Sequence, residues 1–473
     1  MTESHGRGTL NLPEGSRSEA IRRIRWLRHH GPTAFSSGIL PLSLSIQIQP
    51  HAPNQMISSS LRTGTTELYA QHGGIDTFRR LIDLFVEQFG CQYPFLTADL
   101  LRQMLDAHGE ESFLLNCVAA LAASHSDDPR VAVQGSPKHE NGLPWYNRAR
   151  SMMGMVMGIP LRETIMGFVL LAAVNMAGVP PGESWMTTGI AVRMAGDLGL
   201  HLKEMVTDSS ESLSDSQVFG NVLMRDLVVS LGVGRPTAFR LEEITRTYRH
   251  EGESLFECAV SLMLAHAKLV NHLNMRETEG NRGSKIQRAK QELMDCYNEL
   301  PQSMRWNAKQ YRVHYTANSG SAFLEMHLWA MAMLTMSSDI SSSMEMIELA
   351  NAVDASTLLT LPFIAHPLYR AATILVDQIE ELRGVDVMGD MDQCLWQSFR
   401  QPCAQKMVAV LQQALDSLGD YYHGVKWISN ALTKRLQGVQ HPPVDTQTGS
   451  GLAQTVFEYA LPRRYRENDA CVN

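Results

Sequence analysis

The sequence predicts an all-α protein: a large array of antiparallel helices preceded by an irregular N-terminal segment. Three observations predict it. Apolar residues recur at three- and four-residue spacing in one segment after another from Ile75 onward. From Ile75 onward, long runs of strict apolar–polar alternation, the mark of half-buried strands, do not occur. Methionine is abundant at 26 residues while aromatics make up only 7%, which favours packed helices over sheets. With 44% hydrophobic and 19% charged residues, a chain of 473 residues can bury a large core.

Residues 1–65 read as irregular, rich in Gly, Pro, Ser, Thr and Gln. One stretch inside them stands out. From Ser18 to His30, Ile21, Ile24 and Leu27 fall at helical spacing among Arg22, Arg23, Arg25 and Arg28. Such a cluster is a candidate nuclear-import signal or DNA-backbone contact; the plainer reading is a solvated amphipathic segment. Residues 66–438 form the predicted helical domain. Its first helix carries Phe78, Leu81, Ile82, Leu84, Phe85 and Phe89, with Gly90 at the C-cap position. Helices follow at 113–123, 145–157 and 161–177, the last apolar apart from Asn175.

The helix over 183–200 ends at Gly199, a natural left-handed cap, with Leu200 placed to fold back on the last turn. Arg193 and Asp197 are four apart within it and can pair. Its expected apolar face is Trp185, Ile190, Met194 and Leu198. The next helix, from about Ser216 to Leu231, stops at Gly232-Val-Gly-Arg-Pro236, where proline prevents resumption. Further helices are expected at 255–273, 286–300, 322–336, 342–359, 368–382 and, as one long element, 404–436. Residues 439–473, with Pro442, Pro443, Gly449 and Gly451, read as a loose tail.

Charge and motifs narrow the function. A net charge of −8 gives no global support for a protein that coats DNA, so any nucleic-acid contact needs a local basic element or a partner. Seven scattered cysteines without a C-x-x-C predict buried single thiols in a reducing compartment and no metal site. No secretory signal is visible, and the longest apolar run, Ile165 to Val179, is too short to suggest a membrane span. H-E-x-x-H, phosphate-loop and G-x-G-x-x-G patterns are missing. Gly182-Glu-Ser184 opens like a nucleophile elbow but lacks the closing glycine, so Ser184 is expected near a helix N-terminus instead. His201, His266, His272, His327 and His366 lack metal-ligand spacing and read as hydrogen-bonded core or surface residues. No catalytic residue is expected.

Two stretches carry a resemblance. Trp185-Met-Thr-Thr-Gly-Ile-Ala-Val-Arg193-Met-Ala-Gly-Asp197-Leu-Gly199-Leu200-His201 resembles the hallmark helix of the regulatory domain of fungal zinc-cluster transcription factors. Val218-Phe219, Asp226, Ser230 and Gly234-Arg235-Pro236 are similar to that family's second signature. Weaker likeness extends over roughly residues 70–436, through Pro94-Phe-Leu96, His327-Leu-Trp329, His366-Pro-Leu-Tyr369 and Gly424-Val-Lys-Trp427. The subgroup it resembles most is the xylanolytic-activator type.

Three departures bear on what the resemblance implies. The family's tryptophan after Val-Phe is Gly220, which would leave a gap, and its arginine after the aspartate is Leu227, which would strip Asp226 of an ion-pair donor. No cysteine precedes Cys91, so the six-cysteine zinc cluster that normally reads the major groove is not in this sequence. The resemblance implies a nuclear transcriptional regulator, of a fungal metabolic or secondary-metabolite gene cluster, acting through its helical domain. Zinc is expected only with such a cluster. Promoter DNA would be reached through that cluster or through a protein partner, as a homo- or heterodimer, and no membrane is involved. The competing readings are a protein-interaction module or decayed regulator without DNA binding of its own, and, more remotely, a helical enzyme.

Overall fold

The computed structural model describes two strands by their backbone, residues 21–30 and 38–47, and most of residues 74–440. Segments 203–208, 249–253, 276–281, 328–363 and 385–404, and a few shorter ones, lie outside the described residues. The predicted helices at 322–336 and 342–359 fall largely in that undescribed part, as does the tail from 441.

The helical domain is as expected. Helices α1 (Gly74–Phe89), α2 (Ala98–His108), α3 (Phe113–Ala123), α4 (Leu143–Val156), α5 (Arg162–Gly178), α6 (Pro181–Asp197) and α7 (Ser209–Val233) come first. They are followed by α8 (Leu255–Asn274), α9 (Arg282–Asn298), α10 (Ala308–Thr316), α11 (Ala365–Gly384) and α12 (His423–Gln440). Capping explains several starts. Thr97, Ser112 and Ser254 each accept a hydrogen bond from the backbone N–H three residues on, at 3.3, 3.3 and 3.4 Å. The expected face of α1 is the buried one, except that Leu84 lies at its edge and Thr77 joins it. Gly90 is not a left-handed cap; its N–H continues the helix to Val86 O at 3.1 Å.

Three expectations need correction. Residues 21–30 are not part of an irregular or helical stretch: β1 (Ile21–His30) pairs antiparallel with β2 (Gly38–Gln47), from Ile21 opposite Gln47 to His30 opposite Gly38. Isoleucines and tryptophan have high strand propensity, and pairing with a segment in which Leu40, Leu42, Leu44 and Ile46 alternate with Pro41, Ser43 and Ser45 overrides the helical spacing. The long helix expected over 404–436 is two helical segments, 408–419 and α12. The chain turns at Gly419, where a side chain would meet the Lys426 backbone at 3.2 Å, and Gln412 reaches back to the Ser429 carbonyl at 3.3 Å. Finally α2 and α10 were not anticipated.

Two buried clusters form the core. The first unites α1 to α6 with the start of α7; the second joins the end of α7 to α8, α9, α11 and α12. Helix α7 is their shared spine. Phe219, Val222 and Leu223 face the first cluster, Leu227 and Leu231 the second, and Met224 packs against both. A buried polar chain crosses the first: Tyr146 donates to Asn175 at 2.6 Å, and Asn175 donates to Thr187 at 3.1 Å. This is where the polar interruption of the apolar run goes, since a buried amide without partners would be costly.

Candidate functional site

The two signature stretches form α6 and α7, which pack antiparallel and are fastened at both ends. Their sequences explain the terminations. Gly199 has φ 66° and Gly234 φ 64°, conformations that glycine adopts without penalty. After α6, Leu200 N–H donates to Ala195 O and Gly199 N–H to Gly196 O, both at 3.0 Å. After α7, Arg235 N–H donates to Ser230 O at 2.9 Å and Gly234 N–H to Leu231 O at 3.1 Å. These are two Schellman motifs, one per signature, each satisfying carbonyls that a helix end leaves open.

At one end of the pair the Arg235 guanidinium lies 4.2 Å from the Trp185 ring centroid, a cation–π contact between the signatures. At the other end the His201 ring stands 6.5 Å from Phe219 and 6.3 Å from Phe239, and Phe219 meets Phe239 edge to face at 5.1 Å. The buried face of α6 is its small-residue face: Ser184, Thr187, Thr188, Ala191 and Ala195 are covered, with Val192 and Met194 beside them. Trp185, Ile190 and Leu198, three of the four expected apolar contacts, are only half-buried. Small side chains let helix backbones approach, and Ser184 uses that closeness: its hydroxyl donates to Ala172 O on α5 at 2.8 Å. Ser184 is thus a tie between helices, with neither a nucleophilic nor a capping role.

Asp226 organises the loop that follows α7. It is 1% exposed, and its carboxylate accepts the backbone N–H of Ala238 at 2.8 Å and of Phe239 at 3.2 Å, with the Ser230 hydroxyl at 3.4 Å. Burial raises its pKa to about 6, and the three hydrogen bonds pull in the other direction. The substitution of Leu227 therefore does not deprive Asp226 of its partners, which are backbone amides; Leu227 itself is fully buried in the second cluster. Helix α8 completes the fastening. Asn271 accepts Thr237 N–H at 2.8 Å, and Asn274 donates to Arg235 O at 3.0 Å. Arg246 does the same for α6, donating to Leu200 O at 2.7 Å and Leu202 O at 3.1 Å. None of Arg246, Asn271 or Asn274 was singled out from the sequence. Two asparagines three apart in a helix, where asparagine is a poor former, were the available signal.

The gap expected at Gly220 does not exist. A Cβ there would come within 2.8 Å of Phe256 and of Val260, both on α8. Phe256 and Val260 fill the space that the family's tryptophan would take. Restoring it, Gly220→Trp, is expected to destabilise the chain by at least about 2 kcal/mol, because overpacking displaces a helix. Chemical denaturation checks this; an unchanged midpoint would show that α8 moves freely.

Arg193 and Asp197 are both exposed, and no ion pair joins them in the described structure. Each alanine variant is expected to change stability by no more than about 0.5 kcal/mol in a thermal melt. Pro236 is half-buried after the second Schellman turn, as expected of a helix stop. For Arg22, Arg23, Arg25 and Arg28 only the strand backbone is described, so their side-chain contacts lie outside the described residues. His327 is hydrogen-bonded as expected, to Tyr297 and to Met304 O at 2.9 Å each. His266 is not: it is fully buried and, among the described residues, neither ring nitrogen has a hydrogen-bond partner. Cys117 and Cys258 are buried thiols, whereas Cys91 is exposed. Among the described residues no group of three His, Cys, Asp or Glu converges to hold a metal, and no helix is long and apolar enough to cross a membrane.

Residues 82–258 match the family model described as the fungal specific transcription factor domain. That range holds both signature helices, both Schellman turns and Asp226. No curated protein matches the chain. The matched family is a transcription factor domain, not a catalytic one, and the match suggests a transcriptional regulator.

Proposed function

We propose that the chain is a nuclear transcriptional regulator that works through its helical domain, with the interlocked α6–α7 pair as the rigid frame of that domain. The match over residues 82–258 carries the reading. The clasp supports it: residues of the two signatures, far apart in sequence, touch each other through Trp185 and Arg235 and through His201 and Phe219. The xylanolytic-activator resemblance supports a role over a fungal metabolic or secondary-metabolite gene cluster. Promoter DNA is then engaged through a zinc cluster outside this sequence or through a protein partner, in a homo- or heterodimer, with zinc as the cofactor of that cluster alone. The basic cluster Arg22, Arg23, Arg25 and Arg28 serves import or DNA-backbone contact.

The test joins the chain to a heterologous DNA-binding domain upstream of a reporter. Tethering is expected to change reporter output in either direction and to leave the fusion nuclear. A nuclear fusion without any effect would overturn the reading in favour of an interaction module. The purified chain alone is expected to bind DNA weakly and without site preference in a gel shift, since DNA affinity comes from phosphate neutralisation and the net charge is −8.

A further inference from the structure

The β1–β2 hairpin carries charge of the opposite sign to the chain that holds it. Arg22, Arg23, Arg25 and Arg28 all lie in β1, and neither strand contains an acid. No Asp or Glu occurs between Glu19 and Glu67, in a chain of net charge −8. The strand register sorts these arginines. Successive residues of a strand fall on opposite faces, and directly opposed residues of an antiparallel pair share a face. Arg23 lies opposite Ser45 and Arg25 opposite Ser43, so one face carries two arginine–serine pairs side by side. The other face has Ile24 opposite Leu44 and Trp26 opposite Leu42, with Arg22 and Arg28 at its ends opposite Ile46 and Leu40. A helix would group them differently. At about 100° per residue, Arg22, Arg25 and Arg28 would share a third of the circumference and Arg23 would lie outside it.

The two faces suit different neighbours. A two-stranded hairpin is stable in water only when its apolar face is covered, so the face of Ile24, Trp26, Leu42 and Leu44 is the one that folding has to cover with protein. The arginine–serine face is the one left for a partner. Guanidinium and hydroxyl groups are phosphate donors, and arginine adds the charge that makes the bond strong. Arg23 and Arg25 are about 6.6 Å apart along the strand, close to the axial rise of two nucleotides at about 3.4 Å each. A two-stranded ribbon is also narrow enough to enter the major groove of a duplex.

We propose that the β1–β2 hairpin is an accessory DNA-binding ribbon that sets its Arg23–Arg25 face against the phosphates of duplex DNA. This rests on the function proposed above and narrows it: of import and DNA-backbone contact it takes the second, and assigns it to two of the four arginines. The ribbon adds affinity and no selectivity, because phosphates carry no sequence information. The choice of site stays with the zinc cluster or the protein partner.

The experiment titrates a short fluorescein-labelled duplex of mixed sequence with the purified full chain and reads anisotropy over a series of NaCl concentrations. Each phosphate contact contributes roughly −0.9 to the slope of log K against log salt, so binding at low salt with a slope of about −1.8 or steeper is expected. Arg23→Gln combined with Arg25→Gln should take about 1.8 off that slope and weaken low-salt binding by about ten-fold or more. Arg22→Gln combined with Arg28→Gln should leave the slope within about 0.5 of the wild type. Arg23→Lys combined with Arg25→Lys keeps both charges and should restore the slope, which separates a lost contact from a lost fold. Absence of salt-dependent binding by the wild type overturns the proposal, as does a slope that the Arg23 and Arg25 glutamine pair leaves unchanged. A larger effect from the Arg22 and Arg28 pair overturns it in favour of the helical grouping. Tighter binding of a single-stranded RNA of the same length overturns the assignment to duplex DNA. A silent reporter leaves the binding result standing, and failed binding leaves the reporter result standing.

Discussion

His266→Leu is expected to stabilise the chain by about 1–3 kcal/mol at pH 7 and by distinctly more at pH 4.5. His266 sits in α8 with both nitrogens buried and without a hydrogen-bond partner among the described residues, so an apolar side chain of similar volume removes an unmet polar group without opening a cavity. Burial also lowers its pKa from the ordinary 6.5 to about 3. His327 is lowered to about 3 as well, by burial first, with Met304 O opposing. A histidine that stays neutral in the folded state but protonates at 6.5 when unfolded supports folding only above that value. Its contribution is lost as pH falls from 6.5 towards 3. By pH 4.5 the two unfolded-state pKa values lie about 2 units above ambient, or roughly 3 kcal/mol lost per histidine. The wild-type chain is therefore expected to unfold in mild acid, with urea midpoints falling between pH 7 and 4.5. The His266→Leu variant should lose about half of that slope. An identical slope in the variant would mean that water reaches the ring.

The helical architecture was legible because its determinants are local. Periodicity placed α1, α3 and α5 to within a residue or two, and Gly199 followed by Leu200 gave the first Schellman turn; the second, at Gly234, was legible only as a glycine and proline stop. What was hidden depended on partners remote in sequence. The sequence offered Trp185, Ile190, Met194 and Leu198 as the inner face of α6. The inner face is instead the small-residue one, because α5 and α7 approach closely enough to prefer it. The consequence of Gly220 was invisible for the same reason: the space belongs to Phe256 and Val260, forty residues or so downstream. Asp226 and Ser230 were readable as a signature, but their task was not, since their partners are backbone amides of the following loop, which side-chain identity does not encode. Strand β1 has its three isoleucine and leucine residues at helical spacing, but its partner was legible: in β2, Leu40, Leu42, Leu44 and Ile46 alternate with Pro41, Ser43, Ser45 and Gln47, the period of a strand.

That task makes Asp226 the position where chemistry and geometry separate most cleanly. Asp226→Asn keeps an oxygen for the Ala238 and Phe239 amides and can turn its Nδ2 to Ser230, whose hydroxyl also accepts. Asp226→Ala removes the acceptor and leaves two donors unmet in the interior, so it should lie about 4 kcal/mol below the asparagine variant. The wild type falls between them at pH 7.5. With a folded-state pKa raised to about 6 against an unfolded 3.8, the native protein holds this proton more tightly than the unfolded chain. Its stabilising share is full below about 3.8 and is lost as pH rises through 6, roughly 3 kcal/mol in all. The asparagine variant lacks that loss, so its advantage over wild type should vanish near pH 4 and grow to a plateau above pH 6. This runs opposite to the histidine effect and can be read apart from it in a His266→Leu background. Equal stability of the alanine and asparagine variants would show that the loop after α7 is held by Asn271 and Asn274 alone. The clasp between the two signatures would then depend on α8 and not on the aspartate.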